Sequence, residues 1–198
     1  MLFPLLCLTA ISAIILGMGM TTTAVYITVA ALIVPSLIEA GILPIAAHMF
    51  AFYFGVVSTI TPPVALASFA GAAIAKSPPM ATAFESSKVG IAKYIVPFAF
   101  IYNPSLLMEG PRIWSFYSLI SVLLAYWCMT LGLEGWFNGK LNVYKRTLAL
   151  LGSVSLLIPP LQIIYGIQGF YYNAIGILLL ALIYFVQGKL NFNLKAQS

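Results

Sequence analysis

Two short stretches of this chain carry residue types that do chemistry without a charged side chain. The first is Gly17-Met18-Gly19-Met20-Thr21-Thr22-Thr23, and the second is Ser58-Thr59-Ile60-Thr61-Pro62-Pro63. Each is expected to interrupt a helix. Glycine is a poor helix-interior residue, whereas clustered threonines favour a helix start through hydroxyl capping. Two successive prolines remove two backbone donors and push the residue before them out of the helical region. Carbonyls at the end of an incoming helix then point into the gap, where they suit a hard cation such as Na⁺. The amides that open the next helix, near Thr22 and Thr23, carry partial positive charge and suit an anionic group. Gly17 and Gly19 let backbone approach an ion or substrate closely. Proline is welcome at the first position of a helix. The second interruption is therefore expected to restart at Pro62 or Pro63, capped by Thr61.

The composition says what surrounds these stretches. Of 198 residues, 62% are hydrophobic and 7% are charged, with 9 Lys+Arg against 4 Asp+Glu for a net +5. An average soluble domain is roughly a quarter charged, so a soluble globular enzyme is excluded. Nine basic residues spread along such a chain make no dense stripe for nucleic acid. Cys7 and Cys128 lie far apart in apolar segments, which is neither a disulfide framework nor a metal spacing. The chain reads as an all-α integral membrane protein.

Uncharged runs outline the elements that must hold the two interruptions in place. A spanning helix needs about 20 apolar residues. Segments 114–133, 147–166 and 170–187 meet that length, and 91–108 falls slightly short, with Lys88 and Lys93 able to snorkel at its end. Residues 1–38 are too long for one helix and too short for two full spans. Two arms of about 16 residues, each less than a span, predict a re-entrant helical hairpin with its tip near Gly17 and Gly19. Residues 44–75 predict one crossing broken at Thr61-Pro62-Pro63, that is, a discontinuous transmembrane helix. A connector over 77–90 leads into 91–108. Residues 111–198 hold further transmembrane helices and a short solvated tail, frayed from Gly188. Lys76, Lys88, Lys93, Lys140, Lys145, Arg146, Lys189 and Lys195 then share a side, with Arg112 opposite. That bias places the C-terminus in the cytoplasm. The N-terminus lacks the basic start and cleavage site of a signal peptide, and a chain opening directly on a helix suggests an upstream part.

Interrupted backbone at membrane depth persists only where it is buried in protein or lines a cavity. A pair of such segments is the sequence-level pointer to a secondary-transporter site. The plainer alternative is that Gly and Pro only kink packed membrane helices, which are enriched in both.

At these residues the sequence also resembles a known family. The run from Gly17 to Tyr26, then Phe52-Tyr53-Phe54-Gly55, then the run from Ser58 to Ala65 resemble the large membrane (permease) subunit of tripartite ATP-independent periplasmic (TRAP) transporters. The flavour is the fused type that works with the TAXI class of periplasmic binding proteins. Tyr94-Ile95-Val96-Pro97-Phe98 and Tyr102-Asn103-Pro104-Ser105-Leu106-Leu107 extend the resemblance over roughly residues 5–110. It implies that Gly17, Gly19, Thr22, Thr23, Ser58, Thr61, Pro62 and Pro63 form a sodium and substrate site. Thr21 departs from the family pattern, which has proline there, and its hydroxyl can cap in proline's place. The resemblance further implies Na⁺-driven uptake of organic anions such as carboxylates, with no other cofactor. A periplasmic binding protein would deliver the anion at the bacterial inner membrane.

These permeases contain two inverted repeats of an ion-transporter-type fold, each with a hairpin and a broken helix. This chain has one, over residues 1–110. Ile158-Pro159-Pro160 and Tyr165-Gly166 lack the Thr, Ser and Gly neighbours of a second. The expectation is a C-terminal part that needs the N-terminal half of the permease, or a small membrane subunit, and does not transport alone.

Other polar residues are read as structural. Glu39 and His48 flank a turn near the outer interface, where water satisfies them, although an intramembrane ionisable group can also relay protons. No Gly-x-Ser-x-Gly elbow, His-Glu-x-x-His motif or Walker A loop is present. The rival from another class is a non-transporting membrane protein that assembles or anchors a complex through its later helices. A channel would need a carboxylate ring or filter sequence, and neither is evident.

Overall fold

The computed structural model describes residues 2–137, 139–160, 163–164 and 167–195. The chain forms two compact units, Met1–Glu109 and Gly110–Ser198. Among the described residues the architecture is helical, apart from a two-residue antiparallel pairing of β1 (Ile163–Ile164) with β2 (Ile167–Gln168) and a bridge between Trp136 and Lys140.

The first unit is built around one helix. In order it contains α1 (Leu2–Leu16), α2 (Thr22–Leu32), α3 (Val34–Glu39), α4 (Pro44–Val57), α5 (Leu66–Ala75), α6 (Pro79–Val89) and α7 (Ala92–Tyr102), then a 3-10 turn over Pro104–Leu107. α4 packs against α1, α2, α3 and α7. Its residues Ala46, Ala47, Phe50, Ala51, Phe54 and Gly55 are buried, two adjacent stripes at helical spacing. The Phe50 ring sits 4.8 Å from Phe54 and 5.3 Å from Phe98 of α7, edge-on to the latter. Alanines and Gly55 on the same helix let its neighbours close in. A Cβ at Gly55 would stand 3.3 Å from Val25 of α2. Small residues at helix contacts are what association in lipid requires, because apolar burial gains little where the solvent is itself hydrocarbon.

Prolines set most of the element ends. Pro35 lacks the N–H that would continue α2, so the arm expected to run unbroken to residue 38 divides into α2 and α3. The helix expected over 91–108 stops at Tyr102, because Asn103 precedes Pro104 and leaves the helical region.

The second unit holds α8 (Arg112–Glu134), α9 (Val143–Leu157) and α10 (Gly169–Lys195). α8, with 23 residues, is the one described helix both long and apolar enough to cross a membrane on its own. Its Ile113, Phe116, Ile120, Leu123 and Trp127 form an exposed apolar stripe, the surface that hydrocarbon accepts. Gly135 adopts a left-handed conformation at the end of α8. Arg146 reaches back from α9 to donate to the carbonyls of Gly132 (Nε, 2.9 Å) and Leu133 (Nη2, 2.7 Å).

The span expected over 147–166 is instead α9, which starts at Val143 behind Asn142 and ends at Leu157. Pro159 forces Ile158 into extended backbone, and neither Pro159 nor Pro160 has an N–H to return to Ser155 or Leu156. Side chains replace those donors. Ser121 Oγ of α8 donates to Leu156 O at 2.7 Å. Buried Asn173 of α10, in the amide orientation that satisfies both its ends, donates to Ser155 O at 2.9 Å and Ile158 O at 3.1 Å. Ser155 Oγ in turn donates to Tyr172 O. The pair Tyr165-Gly166 lies outside the described residues. Where a frayed tail from Gly188 is expected, α10 continues to Lys195.

Candidate functional site

The link between α1 and α2 is a tight turn. Gly17 N–H still bonds back to Ala13 O and Ile14 O at 3.0 and 3.1 Å, after which the chain leaves the helix. Gly19 sits at φ +80, where a side chain would be strained and glycine is not. Thr21 is extended and caps α2, its hydroxyl accepting from Ala24 N at 3.4 Å. It thus does what a proline at that place would do by other means. Thr22 and Thr23 occupy the first turn of α2, and Gly19, Thr21 and Thr23 are exposed.

The link between α4 and α5 is longer than a kink. α4 ends at Val57 and α5 begins at Leu66 behind Ala65, which offers no side-chain cap. The helix does not restart at Pro62 or Pro63, and Thr61 is not its cap. A residue that precedes a proline is disfavoured in the helical region, and here both Thr61 and Pro62 stay outside a helix. The Thr61 hydroxyl turns back instead, donating to Val57 O at 2.7 Å and meeting Tyr94 Oη of α7 at 2.7 Å.

A set of local bonds makes up for the lost ladder. Ser58 Oγ donates to Gly55 O at 2.6 Å, Thr59 Oγ1 to Val56 O at 2.7 Å, and Thr61 Oγ1 to Val57 O. Val56 O and Val57 O also accept from Thr59 N and Ile60 N at 3.2 and 3.0 Å, so the hydroxyls add to a tightened last turn, and Ser58 Oγ serves Gly55 O. Thr59 O accepts from Ala67 N at 3.0 Å, which ties the link to the first turn of α5.

One contact joins the two interruptions. Ser58 Oγ, fully buried, lies 3.2 Å from Gly17 O. The approach needs glycine, because a Cβ at position 17 would stand 2.3 Å from Ser58 Oγ. Gly17 and Ser58 are thus brought together. Thr61, Pro62 and Pro63 follow on the same link, while Gly19, Thr22 and Thr23 follow on the facing turn. The two groups brought together, Ser58 Oγ and Gly17 O, are hard and uncharged oxygens, of a kind that suits a monovalent cation better than a transition metal. Among the described residues no group of three or more His, Cys, Asp or Glu side chains could hold a metal ion.

The remaining polar residues have other work. His48 Nδ1 is 3.0 Å from Tyr26 Oη, tying α4 to α2 beside the edge-on ring of Phe52. Glu39 is exposed at the end of α3. Sequence reasoning gave no role to the Tyr94 hydroxyl, and nothing local could have supplied one, since its partner lies 33 residues away.

Comparison with curated proteins gave no match, and neither did comparison with solved structures. A family model described as "Tripartite ATP-independent periplasmic transporter, DctM component" matches residues 2–110, more than half of the 198-residue chain. The matched region contains both interruptions and the Ser58–Gly17 contact that joins them. The chain therefore belongs to the DctM family, the large membrane permease component of TRAP transporters.

Proposed function

We propose that this chain is the C-terminal part of a sodium-coupled permease of the fused, TAXI-associated type. It takes up organic anions, such as carboxylates, that a periplasmic binding protein delivers. Na⁺ binds between the two interruptions, held by carbonyl and hydroxyl oxygens around Gly17, Gly19, Ser58 and Thr61. The amides opening α2 at Thr22 and Thr23 face the anion, and Pro62 and Pro63 keep the α4–α5 link free of competing N–H groups. The observation that carries this reading is the Ser58–Gly17 contact, which draws two separate breaks in helical backbone to one place. Irregular backbone in a membrane is tolerated where it lines a site.

In this reading residues 1–38 are a re-entrant hairpin and 44–75 a discontinuous crossing, together one of two inverted repeats. The other repeat comes from outside this chain, whose membrane partner is the N-terminal half of the permease or a small membrane subunit, in the inner membrane with the C-terminus cytoplasmic. Alternating access moves the hairpin-bearing part against a scaffold. The test is thermal stability of the purified chain, alone and with its N-terminal half, titrated with Na⁺ and with K⁺. Stabilisation by Na⁺ alone, lost in Gly19→Leu and in Thr61→Val, is the expected result. Indifference to Na⁺ in the assembled pair would leave the anchoring role as the better account.

A further inference from the structure

We propose that Ser87 and Tyr94, which lie in neither interruption, are positioning residues that set the shape of the α4–α5 link. The inference rests on reading that link as part of the ion site. Between Ile60 and Leu66 the backbone has no helix to hold it, and Pro62 and Pro63 contribute no donors. The link makes short turn bonds of its own, Ile60 N to Val57 O and Thr61 N to Ser58 O, and two side chains from α6 and α7 add to them at consecutive residues.

Ser87, near the end of α6, donates its hydroxyl to Ile60 O at 2.9 Å. Tyr94, in the first turn of α7, meets Thr61 Oγ1 at 2.7 Å. The direction of that second bond follows from proton counting. Thr61 has one hydroxyl proton, and it goes to Val57 O, a carbonyl that can only accept. Tyr94 must then donate to Thr61. The result is a directed chain, Tyr94 to Thr61 to Val57, that fixes the Thr61 rotamer and with it the direction in which the following carbonyls leave.

Packing does not duplicate this hold. An open groove of about 480 Å³ lies beside the link, with Ile60 on one wall and Glu85, Val89 and Lys93 on the other. The close apolar approach on this side is at Gly90, where a Cβ would stand 2.7 Å from Ile60 Cδ1. From outside the link, two hydrogen bonds and one glycine contact thus bear on residues 60 and 61.

The test uses the assembled permease with Tyr94→Phe, Ser87→Ala and the conservative Ser87→Thr. Two quantities are read: amide hydrogen exchange over residues 58–66 without Na⁺, and the Na⁺ concentration for half-maximal stabilisation. Tyr94→Phe and Ser87→Ala should each speed exchange across the link and raise the Na⁺ midpoint by roughly three- to ten-fold, the effect of one lost hydrogen bond. The maximal stabilisation should be unchanged, and Ser87→Thr should restore the wild-type midpoint. A wild type that responds to Na⁺, with both variants only melting earlier at an unchanged midpoint, would overturn the positioning role and spare the ion site. A wild type indifferent to Na⁺ would overturn the ion site, and faster exchange in the variants would then still establish the hold on the link.

Discussion

The hydroxyl of Ser58 lies 3.2 Å from the carbonyl of Gly17, across 41 residues of sequence, and joins two places where helical backbone stops. Ser58 has one proton to give. Its 2.6 Å bond to Gly55 O claims that proton more strongly than the longer approach to Gly17. A cation placed against Gly17 O would therefore meet the Ser58 oxygen as a second acceptor rather than as a competing donor.

Gly17→Ala should be the most damaging small change in the first unit. The added Cβ would lie 2.3 Å from Ser58 Oγ and 2.5 Å from Ser58 Cβ, inside a buried contact with little room to shift. Overpacking of this kind costs about 1–3 kcal/mol. Combining it with Ser58→Gly removes the clashing side chain and should recover part of the loss in a thermal melt. Full tolerance of the single alanine would mean that the two interruptions do not meet.

Ser58→Ala tests the same contact from the other side. It leaves Gly55 O, near the end of α4, without the hydroxyl that satisfies it, at a cost of about 1–3 kcal/mol for a buried polar group. Amide exchange at the last turn of α4 should rise while α1 stays protected. Uniform loosening of both helices would point to general unfolding instead.

Tyr26 and His48 should show measurable coupling. A double-mutant cycle on Tyr26→Phe and His48→Phe, followed by unfolding, is expected to give about 1 kcal/mol, the size of one part-buried hydrogen bond. A coupling near zero would show that their 3.0 Å contact contributes nothing to holding α2 on α4.

In the second unit the end of α9 depends on borrowed donors. Asn173→Leu strips donors from two carbonyls, Ser155 and Ile158, whereas Ser121→Ala strips one from Leu156. Asn173→Leu should therefore destabilise about twice as much, with Ser121→Ala near 0.5–1.5 kcal/mol. Melting temperatures of the two variants check the order, and the reverse order would refute this assignment of donors.

Much of the molecule follows from local rules that act within a few residues. The apolar composition, the uncharged runs and the break at Pro62-Pro63 are legible because charge is costly in hydrocarbon and proline lacks an N–H whatever surrounds it. The turn at Gly17–Met20 and the Thr21 cap are local too. Where an expected element end moved, a nearby proline or a competing hydrogen-bond partner had changed the outcome. Thr61 was expected to cap the next helix, but a competing carbonyl at Val57 and a hydroxyl at Tyr94 claim it. The span expected over 147–166 ends at Leu157, and donors from α8 and α10 make that end tolerable.

The sequence by itself therefore determined that helical backbone breaks after Gly17 and around Pro62-Pro63. Tertiary structure decided what the stopped ends face. A missing N–H is a property of one residue, but the donor or acceptor that answers it is chosen by packing. Ser58 finds Gly17, Ser87 finds Ile60, and Tyr94 finds Thr61 only once α1, α6 and α7 have closed around the central helix and its continuation.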